Sequence, residues 1–473
     1  MSRLGENECL QVPHSVTGQL ASPGGNSLSF AGMSQELTDF TRIRMLWPDH
    51  LGIARGKYVP GRLAHKGSAF CVTTFAMAYD RDLIPAPGAF MLEGLKDVHG
   101  SVEVDTLRGS WENEHTGVAV ADITMHGEPY EVSARTALHG TLNDWSELGY
   151  SVKVGIELEG YLLQPDGDGG WERYQNPRSY VYGTGALGDP TGFVDEVMLT
   201  AERCGFTIES ANVEFDESQF EFTLEYDDAM RAVDDTFLFR VMVRELAIAR
   251  GLDFTFLGKP FTELSGSGVH VNFSLVDADG SPALADDSNE HGISQLGLHC
   301  IGGLMKHHQA LTALSAPIVN SYRRLQPGSL SGCWANWGVD HRNVTNRIPA
   351  EGGSAMRIES RVGDGAMNLH LGVAAVLQAA RLGVVNQIDP GGPYEGDGFE
   401  DGGEGVERCA DSLSGALDHL EADTDFSEAV GGLLVDNFIA NKRHEVERFE
   451  ATGESIQSEA LTAFELAQHL PYH

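Results

Sequence analysis

Arg357-Ile358-Glu359-Ser360-Arg361 sets three charged residues two apart in an otherwise apolar neighbourhood. On a β-strand, side chains at i, i+2 and i+4 share one face, so the pattern predicts that all three project together. A carboxylate between two guanidiniums suits a polyanion held with a divalent cation. The arginines take phosphate or carboxylate oxygens, and the glutamate takes the metal. The same ladder is also what a surface salt-bridge row looks like, so the triplet alone leaves both readings open.

Three further segments repeat the theme. Lys153-Val154-Gly155-Ile156-Glu157-Leu158-Glu159-Gly160-Tyr161-Leu162-Leu163 reads as a buried strand with Glu157 and Glu159 on one face. Two acids there are costly unless a cation or hydrogen-bond donors pair them. Asn212 to Phe222 carries Glu214, Asp216, Glu217 and Glu221, with Gln219 between the last two. A regular strand puts Glu214 and Glu221 on opposite faces, so their convergence requires a break near Glu217-Ser218. Lys259-Pro260-Phe261 leads through Gly266-Ser267-Gly268 to His270, with Asn272 and Ser274 in alternating register. A lone strand histidine is usually a satisfied core or surface residue. Four acid or histidine strands in one chain, oxygen-rich with one imidazole, point instead to Mg²⁺ or Mn²⁺.

From about residue 36 onward the chain resembles glutamine synthetases. The Glu-x-Glu strand is matched by Glu157 and Glu159, and the Glu…Gln-x-Glu segment by Glu214, Gln219 and Glu221. The Lys-Pro…Gly-x-Gly-x-His signature runs from Lys259 to His270, with Ser265 where the family usually has asparagine. Asn-Ser-Tyr-x-Arg-Leu-x-Pro-Gly is matched from Asn320 to Gly328, and Arg-x-Glu-x-Arg from Arg357 to Arg361. The resemblance implies an α+β fold: a small N-terminal β-grasp-like domain, and a catalytic domain with a curved antiparallel sheet backed by helices. It implies ATP as cosubstrate and two or three Mg²⁺ or Mn²⁺ ions per site. One ion would sit on Glu159, Glu214 and Glu221, and a second on Glu157, His270 and Glu359. Arg342, Arg347 and Arg357 match the arginines that hold nucleotide phosphates, Arg342 and Arg361 being implied in the chemistry. Arg324 and Arg361 match those that grip the glutamate carboxylates, and Gly266 matches a backbone contact to that substrate. Phosphoryl transfer asks a protein mainly for positioning and positive charge on the equatorial oxygens, which metals and arginines supply.

Two departures from the family pattern bear on the nucleophile. Ammonia-using members carry Tyr-Glu-Ala-Pro after the Pro-Gly pair, and the glutamate there closes the site and helps bind and deprotonate ammonium. This chain reads Ser329-Leu330-Ser331-Gly332. An N-terminal Asp-Gly-Ser-Ser normally supplies an ammonium-binding aspartate, and the counterpart here is Lys66-Gly67-Ser68-Ala69. An apolar replacement tolerates an alkyl or aryl group and removes the attraction for a small cation. The expectation is a γ-glutamyl amide ligase using an organic primary amine, as in relatives that ligate polyamines, ethanolamine or methylamine. Leu330, Trp334 and Trp337 hint at an acceptor with an apolar body. Two alternatives stand beside it: an ammonia-using glutamine synthetase in which an acid such as Asp340 takes the missing role, and a catalytically silent ring-forming relative. A scaffold has no reason to keep carboxylates that repel each other without cations. Family members form rings, so self-association, as a dodecamer, is expected. Phe399 stands where some relatives place an adenylylated tyrosine, and Tyr394 lies elsewhere in that loop, which argues against that form of control.

The chain has 69 acidic and 32 basic residues, a formal net charge of −37. The acids are dispersed, and lysine occurs only at Lys57, Lys66, Lys96, Lys153, Lys259, Lys306 and Lys442. A dispersed acidic surface with few lysines suits a high-salt cytoplasm, where repulsion is screened over about 3 Å at 1 M. There is no basic stripe for nucleic acid. No apolar run is long enough to span a bilayer, and a basic-then-apolar leader pattern is lacking, so a cytoplasmic enzyme is expected. Cys9, Cys71, Cys204, Cys300, Cys333 and Cys409 show neither Cys-x-x-Cys pairs nor framework spacing, which points to reduced thiols.

Residues 1–32 are rich in Gly, Ser and Pro without periodicity, and are expected to be a disordered extension upstream of Met33. Residues 33–133 form the expected small domain and 134–473 the catalytic one, opened by a helix with Leu138, Leu142, Trp145 and Leu148 on its apolar stripe. Residues 391–405 are a Gly-rich loop, and the chain from Ala416 on is helical in pattern. Gly183-Thr184-Gly185-Ala186-Leu187-Gly188 is a literal Gly-x-Gly-x-x-Gly, but no strand precedes it and Asp189-Pro190 follows where a helix should run. Gly52 to Tyr58 lacks the spacing of a P-loop and the Ser/Thr that reaches the metal.

Overall fold

A computed structural model describes residues 35–91 and 93–473; the expected N-terminal extension and Met33 lie outside the described residues. The fold is α+β, built on two sheets. In the first, the strand Thr116–Met125 is central. It pairs in parallel with Arg42–Pro48 and antiparallel with Asp97–Val102, while Ala54–Pro60 and Ser68–Cys71 lie outside these. Met45, Trp47, Phe70, Phe75, Val118 and Val120 are buried in its core, and Trp47 stacks on Phe75 with centroids 5.0 Å apart. Gly52 to Tyr58, the segment with a passing likeness to a P-loop, is a turn into the strand Ala54–Pro60.

The helix Ala134–Glu147 follows, burying Leu138 and Trp145; the Trp145 indole donates to Leu377 O at 3.1 Å. Leu148 falls just past the helix end and is partly exposed.

The second sheet has ten strands and is organised by the 15-residue strand Ser151–Pro165. Its even-numbered side chains, Val152, Val154, Ile156, Leu158 and Leu162, are buried, and share one core with Phe237 and Phe239 of the helix Ala229–Ala249. Period-2 alternation therefore leaves Glu157 and Glu159 on the opposite, half-open face. From that strand the order runs one way to Gln219–Leu224 and Ile208–Val213. The other way it runs through Val269–Val276 and Ile358–Ser360 to Asn346–Ile348 and Trp337–Val339. Pairing is antiparallel except for the last two strands, which are parallel. The helix Leu369–Val385 is apolar on nearly every face and correspondingly buried. Residues 391–405 contain no helix or strand. The helices Leu413–Ala422, Thr424–Thr452 and Ala463–Gln468 complete the chain, with a break in the long one at Gly431, φ 132°.

The Gly183–Gly188 segment contains a four-residue helix, Gly185–Gly188, and the nearest preceding strand, Trp171–Arg173, is short and separated by a loop. It is no dinucleotide fingerprint. Among the described residues no helix is long and apolar enough to cross a membrane. Cys71, Cys204, Cys300, Cys333 and Cys409 are free thiols; Cys9 lies outside the described residues.

Candidate functional site

Strand register brings the acids together. In the antiparallel ladders Glu221 lies opposite Glu159, His270 opposite Glu157, and both Asn272 and Arg347 opposite Glu359. Directly opposed residues share a face, so one sheet surface collects carboxylates from three strands and the imidazole from a fourth that lies between two of them. The break needed in the segment after Asn212 is present: Ser218 has φ 60°, and Gln219 N donates to Asp216 O at 3.1 Å, closing a turn between two paired strands.

Among the described residues, Glu157, His270 and Glu359 hold ligand atoms within 4.8 Å of one another, as do Glu159, Glu221 and His270. His270 Nδ1 is 3.0 Å from Glu157 Oε2 and 3.7 Å from Glu359 Oε1, and its Nε2 is 3.6 Å from Glu159 Oε1. His270 thus joins both groups. Glu214 is in neither; it accepts from Asn212 Nδ2 at 3.0 Å and from Phe215 N at 3.2 Å. Burial, followed by repulsion from Glu157, Glu159 and Glu214, pushes the Glu221 carboxyl up to about 9. Burial, then Glu159, also raises Glu214. Burial opposes the charged form of Glu359, but Arg361, His270 and Arg347 outweigh it and hold its carboxyl down to about 2. Carboxylate oxygens with one imidazole, crowded enough to raise the Glu221 and Glu214 carboxyls, form a donor set suited to Mg²⁺ or Mn²⁺.

The strand around Glu359 is only Ile358–Ser360, but the flanking arginines still gather. Arg361 pairs with Glu359 Oε1. Arg347 donates to Glu359 Oε2 at 2.8 Å and to Asp340 Oδ1 at 3.0 Å. Arg357 Nε reaches Asn272 Oδ1 at 3.3 Å. Arg342 is exposed in the loop between the strands Trp337–Val339 and Asn346–Ile348. Arg324 is buried, donating to Val362 O at 3.0 Å and Arg361 O at 3.1 Å. Gly266 lies against it: a Cβ there would sit 2.8 Å from Arg324 Cγ. A Cβ on Gly268 would lie 2.7 Å from His270 Nε2 and 2.9 Å from Arg324 Nη2, so both glycines let the loop run flush against the site.

The loop bearing Leu330 belongs to the same surface. Gly332, at φ 72°, would place a Cβ 3.1 Å from Arg361 C. Ser329 Oγ donates to Arg324 O at 2.9 Å. Leu330 itself is 50% exposed, and Lys66 is exposed. Trp334 is half-buried, but Trp337 is a core residue, 1% exposed, with its indole donating to Gly391 O at 3.2 Å; it offers no open apolar wall.

Four supporting groups were not singled out as site residues. Asn272 Nδ2 donates to Glu157 Oε1 at 3.0 Å, Gly268 N to Glu159 Oε2 at 2.8 Å, and Ser265 N to Asp216 Oδ2 at 2.6 Å; Asp340 holds Arg347. Asn272 carried a signal in its alternation with His270, Gly268 and Ser265 in the Lys-Pro…Gly-x-Gly-x-His signature, and Asp340 as a possible compensating acid. Which partner each one holds depends on loop paths that no local pattern encodes. One more donor group, Asp80, Asp82 and His444, lies outside this surface, with Asp80 already ion-paired to Arg448.

Residues 131–460 match the family described as glutamine synthetase, catalytic domain. Glutamine synthetase of Pyrococcus horikoshii is 32% identical over 439 residues, covering 90% of this chain and 95% of that protein. Glutamate–isopropylamine ligase of a Pseudomonas species is 31% identical over 331 residues, covering 68% of this chain and 72% of its own length. A solved complex of GmaS with ADP superposes with a TM-score of 0.79 at 27% identity, covering 93% of this chain and all of that one.

Proposed function

The chain belongs to the glutamine synthetase family, and we propose that it is a member whose nucleophile is an organic primary amine. As a family member it is a carbon–nitrogen ligase. The observation that carries the amine reading is Leu330, an apolar, half-exposed side chain on the loop packed against Arg324 and Arg361, where an ammonia-using enzyme resembling this one has a glutamate. Lys66 in place of an aspartate points the same way. Asp340, the acid that could compensate, is 61% exposed and engaged with Arg347. The isopropylamine ligase among the relatives supports the reading; the relatives named glutamine synthetase support the ammonia alternative.

In this reading Glu159, Glu214 and Glu221 would hold one divalent ion, Glu214 turning in from its bonds to Asn212 and Phe215 to do so, and Glu157, His270 and Glu359 would hold another; together the ions would neutralise the nucleotide phosphates. Arg342, Arg347 and Arg357 hold those phosphates; Arg324, Arg361 and the Gly266 backbone orient glutamate. A γ-carboxylate oxygen of glutamate attacks the γ-phosphorus of ATP and ADP departs. The amine nitrogen then attacks the acyl carbon, phosphate leaves, and the nitrogen gives up a proton. Arg342 and Arg361 stabilise charge on the transferring groups. For Arg347 and Arg361 to reach a substrate they must loosen from Glu359, the carboxylate that would also serve as a cation ligand. The enzyme is assigned to the cytoplasm, as a ring of copies, a dodecamer in the form the resemblance suggests.

The test is glutamate-dependent phosphate release from ATP in high KCl with Mg²⁺ or Mn²⁺, comparing ammonium with a panel of primary amines and identifying products by mass. Turnover with an organic amine and little with ammonium is expected. Efficient turnover with ammonium would overturn the proposal, and no ATP turnover with any acceptor would favour the silent relative.

A further inference from the structure

Arg324 uses two of its donors on backbone carbonyls, so its position depends on what fixes the segment that carries it. That segment, Asn320 followed by the short helix Ser321–Arg324, is tied to the C-terminal helix Ala463–Gln468 through one carboxylate. Glu465 is fully buried, and accepts from Arg323 Nε at 2.7 Å and Nη2 at 2.8 Å. It also accepts from Asn320 Nδ2 at 2.8 Å, and from Thr462 N and Oγ1, each at 2.8 Å. Five donors on two oxygens saturate a carboxylate's acceptor sites. Asn320 carries the tie onward: its Oδ1 accepts from Lys259 N at 2.9 Å, and its Nδ2 donates to Lys259 O at 3.0 Å. Lys259 opens the loop that runs to Gly266, which abuts Arg324. The preceding turn is held from the same side, since Val319 N donates to Glu445 Oε1 at 3.1 Å, and Glu445 is paired with His469 beyond the C-terminal helix.

We infer that Glu465 is a positioning residue for glutamate binding, fixing through Arg323 and Asn320 both loops that present Arg324 and Gly266. Glu465 lies outside the residues through which family resemblance assigns substrate contact, and acts only through the side chains it holds. A neutral side chain leaves the Arg323 fork without a bidentate partner, and a shorter one also frees Asn320, so the two loops lose their common anchor. The nucleotide arginines lie on other segments, 342–347 and 357, and are untouched by it.

This rests on the reading of Arg324 as a glutamate ligand, so the experiment separates the two. Steady-state kinetics on Glu465→Ala, Glu465→Gln and Arg323→Lys, with Arg324→Ala as control, measure KM for glutamate and for ATP together with the melting temperature. Misplacement of a positioning group by about 1 Å can cost about 10²-fold. Glu465→Ala is therefore expected to raise the glutamate KM about 10- to 10²-fold with the ATP KM unchanged, and Glu465→Gln, which keeps one acceptor oxygen, to lie between it and the parent. Arg323→Lys preserves charge but not the fork, and gives a several-fold rise should Glu465→Ala fail to fold. Variants that only melt earlier, with glutamate and ATP KM unchanged or rising together, overturn the inference. If Arg324→Ala leaves the glutamate KM unchanged, the assignment of Arg324 fails instead.

Discussion

Leu330→Glu is expected to move the acceptor preference from organic amine toward ammonium. The loop should tolerate the change. Leu330 is half exposed, so the substitution forfeits about 1 kcal/mol of burial at roughly 25 cal/mol per Å². The loop is held by bonds the change does not touch, Gly328 N to Phe399 O at 2.7 Å and Ser329 Oγ to Arg324 O at 2.9 Å. Against this small cost stands a new charge. A carboxylate about 4 Å from an ammonium ion attracts it by about 1 kcal/mol if fully water-screened, and by about 4 kcal/mol at an effective dielectric near 20. With about 1.4 kcal/mol per tenfold, kcat/KM for ammonium should rise between about 5-fold and about 10³-fold; a primary amine is also protonated near neutral pH and feels the same attraction, so its ratio to ammonium shifts only as far as the alkyl group holds it away from the carboxylate.

Arg324 and Arg361 compete for the same carboxylate, and capture by either would show as a raised glutamate KM. The assay is direct competition between ammonium and the preferred amine at fixed ATP and glutamate, with products quantified by mass and glutamate KM measured alongside. A variant that melts within about 2 °C of the parent, keeps its glutamate KM and shows an unchanged kcat/KM for ammonium assayed alone would refute the reasoning. Leu330 would then not face the acceptor.

The raised Glu221 carboxyl makes a pH prediction. Its pKa stands near 9 when folded against an ordinary 4.5, so the folded state binds the extra proton between those values. By linkage, the metal-free protein loses stability as pH rises through that window. Glu221→Gln should flatten the dependence, and saturating Mg²⁺ should flatten it in the parent but less in the variant; urea unfolding at stepped pH with and without metal reads both, and a parent curve flat from pH 5 to 9 without metal would contradict it. The acidic surface makes the other prediction. With a net charge of −37, self-repulsion destabilises the compact state until salt screens it, so the melting temperature should climb steadily from about 0.1 M to about 2 M KCl. A midpoint that is flat or falling with KCl would remove the argument for a saline cytoplasm.

How much of this was legible in the sequence follows from the range over which each feature is encoded. Glu157 and Glu159 could be put on one face because strand period is local. The break at Ser218 could be required because two acids an odd number apart cannot share a regular strand's face; the observed φ of 60° meets that requirement. Pairing, by contrast, is not local. Nothing in the segment around Glu221 says that it lies opposite Glu159 rather than Glu157, and nothing around His270 says that it lies opposite Glu157, yet those two registers put Glu221 and His270 in one donor group with Glu159 and let His270 join the other. Trp337 misled for a related reason: a tryptophan three residues past Trp334 in a glycine-rich stretch reads as open wall, but the strand Trp337–Val339 turns it into the core.

The same distinction separates the ligands from what aims them. Residues that meet a metal or substrate are typed by chemistry, and their kinds and spacing survive as a pattern in one dimension. Residues that aim them are typed only by geometry. Glu465 is 142 positions from Arg323 and sits in an unremarked Thr-x-x-Glu capping box, whose carboxylate would be read as serving its own helix. In the fold it serves both, since the oxygens that cap the helix also hold the arginine. The departures at Leu330 and Lys66 could be seen beforehand because they break a chemical pattern. A departure at Glu465 would break none, and would become visible only as a loop carrying intact ligands in the wrong place.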